Sequence, residues 1–267
     1  DYMPGPSLLR DVAEEELPDV LSPAQRAKQL GIDRFRLLAW PGRELMNTYS
    51  RKHWGRDFGE LGLTCSCHMP TLYRAMITEK PYPVKALFTV WSNPMVTQGN
   101  TKLVYKALKS LDLYVVHDYF MTPSAELADY VFPCASWLER PWLWDQYSED
   151  CDIYAAEAGL PAAIPGEYEH RTDFELFRGL GIRMGQEKYW PWKNLEETYD
   201  WKLAPMNMTF KEFMAKGGYY FPKPEYKKYE KMGGFGTPTG KVELYSTVFE
   251  KLGYDPLPFF EEPYESP

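Results

Sequence analysis

No run of apolar residues in this chain approaches the roughly 18 that a helix needs to cross a membrane, so direct membrane insertion is not expected. No Lys/Arg run exceeds two residues and the formal net charge is −8. The electrostatic footprint of a nucleic-acid binder is therefore missing. Cysteine is scarce: Cys65, Cys67, Cys134 and Cys151 are the only four. Cys65-Ser66-Cys67-His68 could supply metal ligands, but no second pair stands at zinc or cluster spacing, and ordinary thiols are the expectation. The four histidines are too scattered for a metal triad. Between Val90 and Gly99 there is no glycine, which argues against the Gly-rich fingerprint of a NAD-binding turn. No Ser or Cys stands in a nucleophile elbow. The opening Asp1-Tyr2-Met3-Pro4-Gly5-Pro6 forms neither a signal peptide nor an initiator sequence, and the last residues cap no element; a piece excised at both ends is expected.

What is abundant is aromatic: nine Trp, twenty Tyr and fourteen Phe, with 23 Pro. Such a chain should carry long ordered loops pinned by large rings. Residues 1–80 read as an irregular aromatic-rich lead-in, with one helix signalled by the capping box Ser22-Pro23-Ala24-Gln25 and stopped at Gly31, and with an extended segment over Phe35–Trp40. Residues 81–267 read as one α/β domain. Val84–Val90 is a buried strand ending in a turn. Asn100 caps a helix with Leu103, Val104, Ala107, Leu108 and Leu111 on one face, and Leu113–Asp118 is a second strand. This is a right-handed βαβ unit. A short helix capped by Ser124 leads to a third strand, Tyr130–Pro133. Trp137–Pro165 reads as a long functional connection. Capping boxes at Thr172 and Thr209 open two further helices. Lys241–Tyr245 alternates like a strand, and Thr247–Leu252 is a helix stopped by Gly253.

In an open parallel sheet, ligands bind beyond the carboxyl ends of the strands. Two such ends carry polar residues here: Ser92-Asn93, and His117-Asp118 with Thr122 beyond. Asp118 suits ribose hydroxyls or the paired donors of a guanine edge. It can equally open the turn after its strand, and the residues alone leave the two roles even.

The stretch VKALFTVWSNPMVTQGN (Val84–Asn100), with LDLYVVHDYFMTPSAELADYVFPCASWLE (Leu111–Glu139), resembles the molybdopterin oxidoreductase family of formate dehydrogenases and dimethyl sulfoxide reductases. Pro165-Gly166-Glu167, Asp173–Phe177, GTPTGKVELYS (Gly236–Ser246) and the final EPYESP resemble it too, in the family's order. The first 80 residues match loosely. The resemblance implies a three-layer Rossmann-like parallel sheet that holds one guanine arm of a molybdopterin guanine dinucleotide, with Mo or W. It places Ser92, Asn93, His117, Asp118, Thr122, Arg140 and Asp173 along that arm, with Asp173 on the base and Asp118 on the ribose. Where the family commonly has glycine this chain has Trp91, and Arg140 stands where many members carry Lys. The family's iron–sulfur segment and metal ligand have no counterpart here, so the chain is expected to be an inactive internal fragment of a catalytic subunit. An iron–sulfur cluster belongs to the missing N-terminal part. The implied parent is a prokaryotic, periplasmic or cytoplasmic oxidoreductase of anaerobic respiration, and the implied partners are the rest of the subunit and an iron–sulfur electron-transfer subunit. A parent performing non-redox hydration or hydroxyl transfer with the same cofactor is the alternative, and a binding module that lost the cofactor is a third reading.

Overall fold

The structure, a computed structural model, describes residues 21–55, 67–146, 152–156, 168–221, 226–260 and 262. Cys65, Cys151, Pro165-Gly166-Glu167 and all but the first residue of EPYESP lie outside them. The described residues fall into two compact units: one takes those up to His68 and those from 226 onward, and the other runs from Met69 to Phe221.

In the first unit the Ser22 capping box forms as expected, but its helix, α1, is short (Pro23–Arg26). The extended segment expected at Phe35–Trp40 is a succession of turns, closed by Phe35 N–H on Gly31 O at 2.7 Å and Gly42 N–H on Arg36 O at 2.9 Å. From Trp40 the chain is helical to Trp54 (α2). Its inward stripe is Trp40, Arg43, Asn47 and Ser50, at helical spacing but mostly polar, so apolar periodicity carried no sign of it. Gly55 ends α2 in the left-handed conformation at φ 69°. The end of α2 grips the returning chain: Trp54 Nε1 donates to Gly234 O at 2.9 Å and Lys52 Nζ to Pro238 O at 3.3 Å. Lys241–Tyr245, expected as a strand, is not one. Glu243 folds back to accept from Thr239 N–H and Thr247 Oγ1, each at 3.0 Å, and Leu244 faces solvent. The helix Thr247–Leu252 forms and stops at Gly253.

The second unit opens with α3 (Met69–Thr78), then β1 (Ala86–Val90), the short α4 (Pro94–Thr97), α5 (Thr101–Lys109), β2 (Leu113–Asp118) and β3 (Tyr130–Pro133). The three strands are parallel in the order β1-β2-β3. Asn100 caps α5 by accepting from Leu103 N–H at 3.2 Å. Val104, Ala107 and Leu108 of α5, with Tyr73 and Met76 of α3, bury one sheet face through Tyr114 and Val116. Each fully buried side chain of this size contributes about 1.5–3 kcal/mol.

The three-layer Rossmann-like sheet is corrected here. The parallel sheet stops at three strands, and helix predominates over strand among the described residues. After β3 the chain does not build another βαβ unit. Instead β4 (Trp142–Gln146) and β5 (Asp152–Ala156) form an antiparallel hairpin inside what read as one long connection. The second sheet face, with Phe88, Val115 and Phe132, opens onto a groove of about 630 Å³ whose far wall includes Leu176 and Leu180. That wall is α6 (Asp173–Arg183), whose Thr172 capping box forms as expected. Gly181 of α6 lies so close to Trp190 that a Cβ there would fall 2.3 Å from the indole Nε1. Then come α7 (Leu195–Leu203), α8 (Phe210–Ala215) and β6 (Tyr219–Tyr220), which joins β5. Leu203, Phe210 and Phe213 pack on Leu143 and Ile153 to make a second core.

Candidate functional site

Parallel registry carries β1 and β2 to a common end. Val90 pairs with His117, and Trp91 N–H donates to His117 O at 3.0 Å, so the loops bearing Ser92-Asn93 and His117-Asp118 start side by side. Asn93 precedes α4 without capping it by its side chain. Its Oδ1 accepts from the fully buried Ser124 hydroxyl at 2.7 Å, which leaves the amide NH₂ for a ligand. Ser92 is half-buried beside it. Thr122 is occupied with local structure: its Oγ1 accepts from Ala125 N–H at 3.2 Å and starts the 3₁₀ turn that precedes β3.

Asp118 is 9% exposed and serves the turn in part. Its Oδ1 accepts from Tyr119 N–H at 2.7 Å and Phe120 N–H at 3.3 Å, while no hydrogen bond engages Oδ2. His117 is 1% exposed. Its Nε2 lies 3.1 Å from Arg171 O, and because a carbonyl only accepts, Nε2 carries the proton. Nδ1 is then a buried lone pair with no partner. The ring borders the groove on the second sheet face.

Arg140 and Asp173 meet beside these tips. Nη1 of Arg140 lies 3.4 Å from Oδ1 of Asp173. The arginine is 5% exposed. Its Nε and Asp173 Oδ1 are both buried without a hydrogen-bond partner. The guanidinium lies over two indoles, 4.6 Å from the Trp91 ring centre and 5.1 Å from that of Trp142, an attraction between cation and ring face. Arg140 also borders a pocket of about 410 Å³ that includes Thr172, Lys193 and Asn194.

Trp91 joins the strand tips to this pair. Its backbone is left-handed, at φ 51°. For a bulky residue that conformation costs on the order of 1–3 kcal/mol and persists only where surroundings over-determine it. Here the ring Nε1 donates to Cys134 Sγ at 2.8 Å, Arg140 covers the ring, and Tyr119 runs nearly parallel to it with centres 6.3 Å apart. Burial pushes the Cys134 thiol up, opposed by the Trp91 hydrogen bond. Burial likewise raises Tyr119. Sequence reasoning singled out Asn93, His117, Asp118, Arg140 and Asp173. It missed Trp142, Tyr119 and Cys134, whose only signals were their places next to Arg140, next to Asp118 and at the end of β3. No group of three or more His, Cys, Asp or Glu among the described residues could hold a metal ion.

Comparison with known proteins bears on this geometry. The family model described as molybdopterin oxidoreductase matches residues 45–182. An acetylene hydratase of Syntrophotalea acetylenica is 35% identical over 261 residues, 96% of this chain and 34% of the relative. The solved acetylene hydratase from Pelobacter acetylenicus superposes with a TM-score of 0.85 at 36% identity, covering 97% of this chain and 35% of that one. A thiosulfate reductase molybdopterin-containing subunit of Salmonella typhimurium is 27% identical over 199 residues, 66% of this chain and 26% of the relative. The chain thus spans about a third, or less, of the length of these relatives.

These findings correct the reading of the chain as an internal, inactive fragment of a redox subunit. The similarity does not start near residue 80: with the acetylene hydratases it runs through 96–97% of the chain, the lead-in included. The relative followed over that length is named as a hydratase, whereas the thiosulfate reductase subunit follows only 66% of the chain. No helix among the described residues is long and apolar enough to cross a membrane.

Proposed function

The chain belongs to the molybdopterin oxidoreductase family, and from that premise we propose that it serves a non-redox hydratase, its strand tips holding the nucleotide end of the molybdopterin cofactor. The family is associated with that cofactor; the guanine dinucleotide form and the side-chain roles are part of the proposal. The observation that carries it is the Arg140–Asp173 pair, where a buried donor, Nε, and a buried acceptor, Oδ1, lack partners beside the β1 and β2 ends. Buried polar atoms are normally satisfied, so this pair has the character of a site completed by a ligand.

The residues present fit a guanine nucleotide. Asp173 offers carboxylate oxygens to the paired N–H donors of the base, and Arg140 offers N–H to its oxygen. Asp118 Oδ2 can accept from a ribose hydroxyl, and the Asn93 amide can donate to nucleotide oxygens. His117, with its proton directed to Arg171 O, acts through the backbone it holds. When bound, the cofactor's metal supplies Lewis acidity. This chain's residues bind and orient the nucleotide that anchors it.

Water addition to an unsaturated bond is balanced without electrons: one proton and one hydroxyl join the two carbons, and nothing is oxidised or reduced overall. The hydratase reading therefore needs no electron-transfer subunit. It rests on the 97% coverage by a hydratase structure. The test uses cofactor-loaded protein carrying this chain, assayed under anoxia with acetylene and, separately, with thiosulfate plus reduced viologen. Acetaldehyde formed without any change in dye absorbance supports the proposal. Viologen oxidation that depends on thiosulfate, with no hydration product, overturns it.

A further inference from the structure

We infer that Trp91 is a positioning residue for this site, holding the guanidinium of Arg140 in the one orientation that meets the ligand, with Trp142 as its counterpart. The inference rests on the nucleotide reading above and deepens it by naming what sets the affinity. Arg140 has few other anchors. Its printed polar contact is Asp173 at 3.4 Å, long for a charged hydrogen bond, and the indoles of Trp91 and Trp142 lie 4.6 and 5.1 Å from its Cζ. With rings packed on the guanidinium, its free hydrogen-bonding direction is the edge carrying Nε, the atom left without a partner.

Trp91 is in turn fixed from three sides: its backbone N–H on His117 O at 3.0 Å, its Nε1 on Cys134 Sγ at 2.8 Å, and its ring against Arg140. A left-handed backbone at φ 51° is an unfavourable place for a large side chain. The ring is 40% exposed, so burial of apolar surface does not account for its presence there. A role in orienting Arg140 does. The edge so presented, next to the Asp173 carboxylate, asks for a ligand with an acceptor adjacent to donors in one plane. The amide edge of guanine, O6 beside N1–H and N2–H, has that pattern.

The test compares Trp91→Gly and Trp91→Phe in the full chain by two readouts. The first is the Arg140 Nε–H resonance in the unliganded protein. In the wild type and Trp91→Phe it is shifted by the ring current and slow to exchange; in Trp91→Gly it returns to the ordinary arginine position and exchanges fast. The second is GDP affinity by calorimetry. Loss of one cation–ring contact weakens binding about tenfold in Trp91→Gly, and Trp91→Phe stays within about threefold of wild type. Thermal stability of Trp91→Gly is expected to hold, because glycine accepts the left-handed backbone, and if that variant does not fold the phenylalanine variant still decides. An Arg140 resonance unmoved in Trp91→Gly, GDP affinity unchanged there, or equal loss in Trp91→Phe overturns the inference. A wild-type chain that binds no GDP overturns the nucleotide reading instead, and the Arg140 resonance still decides whether Trp91 holds the arginine.

Discussion

Asp173 Oδ1 faces Arg140 Nη1 at 3.4 Å, the carboxylate from the first turn of α6 and the guanidinium from the residues between β3 and β4. The two are unequally buried, with 6% of the arginine side chain exposed against 32% of the aspartate. Removing the carboxylate therefore strands a buried cation. Breaking a fully buried pair costs about 3–5 kcal/mol. Because the aspartate is partly solvated, Asp173→Ala should lower unfolding stability by roughly 1–3 kcal/mol. Urea denaturation followed by tryptophan fluorescence measures this, and a midpoint equal to wild type would show the pair to be weakly coupled.

Thr172 holds the start of the same helix. Its Oγ1 accepts from Glu175 N–H at 3.2 Å, and Glu175 Oε2 accepts from Thr172 N–H at 2.8 Å. Thr172→Ala should cost about 1 kcal/mol and loosen the backbone that carries Asp173. The expected outcome is a lower melting temperature in calorimetry together with weaker GDP binding, whereas Thr172→Ser restores both.

Gly181 permits Trp190 to lie against α6. A methyl group there would meet the indole Nε1 at 2.3 Å, and Trp190 also packs edge-on to Phe174, next to Asp173. Gly181→Ala should therefore destabilise by about 1–3 kcal/mol through overpacking, even though alanine is the better helix former. Chemical denaturation that shows stabilisation instead would mean that Trp190 moves away at little cost.

Tyr199 gives a pH signature. Burial pushes its hydroxyl up to about 12 from an ordinary 10.0. Its O–H donates to Pro141 O at 3.2 Å, next to Arg140. The folded state keeps the proton to higher pH than the unfolded chain does. This contribution is therefore fully present below pH 10 and is lost as the pH rises toward 12, an amount on the order of 2–3 kcal/mol. Tyr199→Phe should flatten the fall in stability over that window, and its 295 nm titration should lack the last-ionising tyrosine.

The sequence was most legible where one physical signal dominates. Leu113–Asp118 and Tyr130–Pro133 are strands at the predicted bounds because a buried parallel strand is a continuous apolar run. Three capping boxes predicted three helix starts because the box is a local hydrogen-bond exchange. The helix Trp40–Trp54 escaped because its buried stripe contains Arg43, Asn47 and Ser50. The hairpin β4–β5 escaped because its aromatic residues also suit a pinned loop. At the site, Asn93, Asp118 and Asp173 stood out as strand-end or helix-start polar residues. The aromatic surroundings of Arg140 did not, since Trp91, Tyr119 and Trp142 converge only in three dimensions. The parallel sheet was over-extended in the sequence reading for a related reason: one βαβ unit does not state how many strands follow it.

The most direct test of the guanine site is a calorimetric titration of the chain with GDP and with ADP, repeated in Asp173→Ala. The account predicts saturable GDP binding, ADP weaker by about tenfold or more, and loss of that difference in the variant, because only guanine presents two adjacent donors to the carboxylate. Equal affinity for the two nucleotides in the wild type, or guanine preference that survives Asp173→Ala, would contradict it.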